Sequence, residues 1–79
     1  MEQHIRALRQ LVAAGWIGTP IGNPGDPAAV IYVRRQNAVV DALCIRSYDD
    51  AVATRETCGE VTRTTEGTVR DVIDGVLAW

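Results

Sequence analysis

The chain has 79 residues, 47% of them hydrophobic and 23% charged, with a net charge of −2. Such a balance describes one small globular domain, 1–79, and supplies no general attraction to nucleic acid or anionic membranes. A chain of this length buries only about 60–65% of the surface its unfolded form exposes, and its stability is on the order of 4–8 kcal/mol, so an added interface carries weight.

All eight basic residues are arginine and phenylalanine is absent, which points to a high-GC bacterial genome. The opening MEQHIRALRQ is charged and amphipathic and lacks the apolar core of a signal peptide. No apolar run approaches the roughly 20 residues of a membrane span. Cys44 and Cys58 are therefore expected as reduced thiols of a cytoplasmic protein.

Taken in order, Glu2 to Ala14 predicts a helix. Ile5, Leu8, Leu11 and Val12, with Trp16 just beyond, form its apolar stripe, and Gly15 is its stop. Gly18 to Pro27, GTPIGNPGDP, reads as a loop because of its glycines and prolines, with a type II turn over Asn23-Pro24-Gly25-Asp26. It is no phosphate cradle: the prolines remove N–H donors and a strand follows, not a helix.

Ala28 to Ser47 is the most apolar stretch and predicts a β-hairpin turning at Gln36-Asn37. That turn pairs Arg35 with Ala38, Val33 with Val40, Ile31 with Ala42 and Ala29 with Cys44. Ile31, Val33, Val40, Ala42 and Cys44 then form an apolar face fit to seat helices. The other face carries Val30, Tyr32, Val39, Leu43 and Ile45 beside Arg34 and Asp41.

After a turn at Ser47 to Asp50, Ala51 to Glu56 predicts a third strand, at the sheet edge. Residues 57–63 either continue it past a bulge or add a short fourth strand. Thr64 or Thr65 caps a final helix with an apolar stripe of Val69, Val72, Ile73, Val76 and Leu77. The expected fold is α+β: one α-β-β-β-α domain, a three-stranded antiparallel meander with two helices packed on one face. Val30, Tyr32, Val39, Leu43 and Ile45 remain as an apolar patch of several hundred Å², the scale of an interaction site.

The runs LVAAGWI and EGTVRDVIDGVL, with Gly15-Trp16 and Gly67-Thr68-Val69-Arg70, resemble the ground plan of HicA-type RNA-cleaving toxins. The fold of that family is similar to the double-stranded-RNA-binding domain. The resemblance implies an αβββα nucleic-acid-binding domain, an antitoxin or a degenerate toxin. It does not imply ribonuclease activity, because that family's catalytic histidine belongs to a Gly-Ser-His-type run on the first strand. Here Asp26-Pro27-Ala28-Ala29-Val30 occupies that place. The chain also looks like small αβββα proteins of high-GC bacteria, from which no function carries over.

The residues offer little chemistry. His4 is the only histidine and Ser47 the only serine, and their spacing suggests no hydrolytic pair. One histidine and two cysteines fall short of a zinc site. Cys44 has no neighbouring base to lower its pKa. Asp49 and Asp50 are turn residues. No catalytic residue, metal or cofactor is assigned. Arg34, Arg35, Arg46 and Arg55 are the candidate phosphate contacts, although Arg34 and Arg35 point to opposite faces. The leading expectation is a non-enzymatic interaction protein that forms a homodimer or docks a protein partner through a sheet face. Nucleic-acid binding is the alternative.

Overall fold

The structure, a computed structural model, describes residues 2–23 and 25–79. Its elements run α1 (Glu2–Ala13), β1 (Ile17–Asn23), β2 (Asp26–Gln36), β3 (Val39–Ser47), β4 (Asp50–Thr57), β5 (Glu60–Gly67) and α2 (Val69–Leu77). The strands form one antiparallel meander in the order β1-β2-β3-β4-β5. This corrects the expected three-stranded sheet: the fold is α+β, with five strands and two helices.

One extra strand, β1, hides behind loop-like composition, whereas β5 takes up the short fourth strand offered over 57–63 and carries it on to Gly67. β1 contains Gly18, Pro20 and Gly22, yet pairs with β2 from Ile17↔Val33 to Asn23↔Asp26. It is the edge strand, where half of the backbone groups need no partner and proline is accommodated. A register shift between Ile21 and Gly22, with Gly22 at φ 95°, absorbs the irregularity. The type II turn expected over Asn23 to Asp26 includes Pro24 and lies outside the described residues. Gly25 N–H donates to Asn23 Oδ1 at 2.9 Å beside it.

β5 takes Thr64 and Thr65, the residues expected to cap the last helix. The cap is Thr68, whose Oγ1 accepts from Asp71 N–H at 3.2 Å. Cys58 and Gly59 close the β4–β5 turn at φ 54° and 83°, the doubly left-handed pattern that suits a two-residue hairpin. β4 is thus an interior strand and not the expected edge.

In the β2–β3 hairpin the turn sits at Asn37-Ala38, one residue later than expected, with Gln36↔Val39 and Val33↔Ala42. Asn37 thereby takes the left-handed position, φ 58°, which asparagine tolerates better than most residues. Sliding the turn by one residue moves every cross-strand partner by two, so each side chain keeps its face.

The core is one cluster joining Ala7 and Leu11 of α1, Trp16, Leu43 of β3, Ala51 and Ala53 of β4, and Val69, Val72, Ile73 and Val76 of α2. Both helices therefore lie on the same side of the sheet. Gly15 ends α1 at φ 98°, and Trp16 N–H bonds back to Leu11 C=O at 3.3 Å.

The β3–β4 turn is held by side chains. Ser47 Oγ donates to Asp49 Oδ1 at 2.7 Å, and Arg46 meets Asp50 at 3.1 Å. The Ser47 hydroxyl, and after it Asp49's own backbone N–H, hold the Asp49 carboxyl below its ordinary 3.8. A depressed carboxyl supports the fold fully above its ordinary value, and that support is lost as pH falls through the lowered one. In Ser47→Ala, the Asp49 titration midpoint followed by carbon-detected NMR is expected to rise toward 3.8. A second substitution tests α2. A Cβ at Gly75 would meet only Thr65, at 3.9 Å, ordinary contact. Gly75→Ala is therefore expected to raise stability by about 0.5–1 kcal/mol in urea unfolding, the helix-propensity difference.

Candidate interaction surface

The helices cover the face opposite to the one that the sequence suggested. Leu43, expected on the docking surface, is 0% exposed beneath them. Tyr32 and Ile45 pack against the core, and Val30 and Val39 are half-buried. Tyr32 also covers β1, because a Cβ on Gly18 would come within 2.6 Å of its ring. Val30, Tyr32, Val39, Leu43 and Ile45 therefore belong to the helix-covered face and do not form a free surface.

The reason lies on β4 and β5. Their residues toward the helices include Ala51, Ala53, Thr65 and Gly67, paired as Ala51↔Gly67 and Ala53↔Thr65. Small side chains let α2 lie close to the strands. Their outward residues include Val52, Thr54, Glu56, Thr64 and Glu66, which are larger or charged.

What stays open is the face expected to seat the helices. Three cross-strand rows define it. One runs Arg35, Val40, Glu56, Val61; the next Ile17, Val33, Ala42, Thr54, Thr64; the third Thr19, Ile31, Cys44, Val52, Glu66. Its middle is apolar: Ile31, Val33, Val40, Ala42, Cys44 and Val52 are half-buried among their neighbours, and no element lies over them among the described residues. Ile17, at its margin, is 73% exposed.

The four candidate phosphate-binding arginines do not come together. Arg35 lies on the open face at the β2–β3 tip. Arg34 lies on the opposite face and donates to Gln36 Oε1 at 2.8 Å. Arg46 sits near the other end of the sheet, paired with Asp50. Arg55 grips the buried Asp41 through two bonds, Nε to Oδ1 at 2.7 Å and Nη2 to Oδ2 at 3.0 Å, and lies 5.5 Å from the Trp79 ring. Hydrogen bonding to Asp41 raises the Arg55 guanidinium further above its ordinary value, with burial opposing. Arg55 is thus a structural partner of Asp41 in this fold.

Chemistry elsewhere is equally committed. His4 stacks on Tyr48, the residue after Ser47, with ring centroids 5.1 Å apart. The Ser47 hydroxyl nevertheless donates to Asp49, and no hydrogen bond joins it to His4 among the described residues. Cys44 and Cys58 are both free thiols, half-buried and exposed respectively. Among the described residues no group of three or more His, Cys, Asp or Glu is placed to hold a metal ion, and no helix is long and apolar enough to cross a membrane.

The two faces differ measurably. Leu43→Ala is expected to cost about 2–5 kcal/mol in urea unfolding, as for a filled core position. Val33→Ala, measured at low protein concentration, is expected to cost about 1 kcal/mol or less, the span of strand propensity. Equal costs would contradict the assignment of faces.

Comparisons of this chain with protein-family models, with curated proteins and with solved structures find no match, so the site is characterised by its own geometry.

Proposed function

We propose that this chain is a non-enzymatic protein-interaction module that works through the open face of its sheet. The observation that carries the reading is the uncovered apolar field of Ile31, Val33, Val40 and Ala42 in a chain whose core is already complete on the other side. Contiguous apolar surface of several hundred Å² is the scale at which monomers use a face for binding. At about 25 cal/mol per Å², covering 400 Å² of it yields roughly 10 kcal/mol before the costs of association. That gross gain is comparable with the whole stability of a domain this size.

The sheet edges support the same choice of surface. β1 carries Pro20 and an irregularity at Ile21/Gly22, and β5 opposes a register shift between Arg55 and Glu56. Proline, charge and bulges are the devices that keep edge strands from pairing with another chain. A partner is therefore received on the face.

Site-specific photocrosslinking checks this. A benzoylphenylalanine at Val33 or Thr54, irradiated in the native host, is expected to give higher-mass adducts. The same probe at Gln10, exposed on α1, is expected to give none. Adducts confined to position 10 would remove the reading.

A further inference from the structure

We infer that the occupant of the open face is a second copy of this chain, packed sheet to sheet about a two-fold axis running along β3. The inference rests on the interaction reading above and names its partner.

Charge placement on the face carries it. Arg35 and Glu56 share one cross-strand row, on β2 and β4, with Val40 of β3 between them. Both are exposed, and neither has an ion-pair partner among the described residues. Turning a second copy about an axis along β3 keeps each row at its height and lays β2 of one copy over β4 of the other. Arg35 then faces Glu56 of the second copy, and the symmetry makes this pair twice. Ile31 and Val33 meet Val52 and Thr54 of the second copy. Ala42 and Cys44 lie on the axis, where small side chains permit the ~10 Å spacing of packed sheets.

The other in-plane axis, across the strands, fails on the same rows. It exchanges the first row with the third and sets Arg35 over Ile31 and Glu56 over Val52. Burying charges against apolar side chains without partners is costly. Aligned sheets also cross at about −30° because each is twisted, which displaces the rims by a few Å; the long arginine side chain spans that offset.

The area is sufficient for a dimer and no more. Five strands about 4.8 Å apart, with about six residues each at about 3.3 Å, project roughly 500 Å² per copy. Two copies reach about 1,000 Å², the lower bound of a specific interface. The expected dimer is therefore reversible and concentration-dependent.

The test is a charge exchange read by sedimentation equilibrium, with circular dichroism confirming folding. Wild type is expected to reach twice the chain mass. Arg35→Glu and Glu56→Arg are each expected to weaken association at least about tenfold, because each sets like charges together twice. The double variant is expected to recover to within about threefold of wild type. Thiol labelling gives a reading that needs no substitution: Cys44 is expected to slow as protein concentration rises, with exposed Cys58 as the internal reference. A wild type that stays monomeric at about 1 mM overturns the inference, as do Cys44 labelling rates that ignore concentration or charge exchanges that leave association unchanged. Photoadducts to another protein beside a monomeric wild type would remove the second copy and leave the interaction face standing. Absence of both would remove both readings.

Discussion

Burial of Leu43 is the contact on which the arrangement depends. It lies at the middle of the central strand, fully covered, with Leu11 of α1 and Ile73 and the valines of α2 in the same cluster. A two-layer domain has one core, so the face that Leu43 occupies is the face the helices take. Everything on the reverse side is then left to water or to a partner. The apolar character of Ile31, Val33, Val40 and Ala42 becomes meaningful only after that choice has been made.

Asp41 accounts for the choice being hard to see. On the hairpin alone it sits beside Leu43 and marks that face as mixed. In the fold its carboxylate is closed off by a bidentate Arg55 from the next strand, with Trp79 beside the guanidinium. A buried carboxylate is tolerated when paired and hydrogen-bonded in this way. The pair adds little evidence of stability by itself. Its consequence is positional: it lets an acidic residue occupy the covered face and removes Arg55 from the surface as a candidate contact.

The open face and the guarded edges form one consistent design. A meander of five strands exposes two edges and one face. Proline, glycine and charged residues disfavour the edges, whereas the face presents branched aliphatic side chains around small residues on β3. Arg35 and Glu56, the charges of its first row, lie on the strands that flank the central one, while Glu66 sits at the β5 margin. That placement is the basis of the proposed self-association, since a two-fold interface must match each patch with its own copy.

Local pattern was enough for several features. The spacing of Leu8 and Leu11 marks α1 and Gly15 its end, although Ile5 and Val12 of the expected stripe stay exposed and Ala7 is buried instead; Val69, Val72, Ile73 and Val76 mark the buried stripe of α2, with Leu77 left exposed. The alternation along Ala28 to Ser47 sorts the hairpin side chains correctly into two faces, because face membership survives a turn displaced by one residue. Tertiary structure alone decided the rest. Glycine and proline in β1 disfavour a strand locally, and only pairing with β2 makes one; the threonines of β5 favour a strand, but pairing with β4 sets its extent to Gly67. Which hairpin face is buried was decided by residues on β4, since Ala51 and Ala53 admit α2 closely and Arg55 neutralises Asp41. Those partners lie 6 to 14 residues from the hairpin residues they pair with, across a turn, beyond the reach of any periodicity read along one strand.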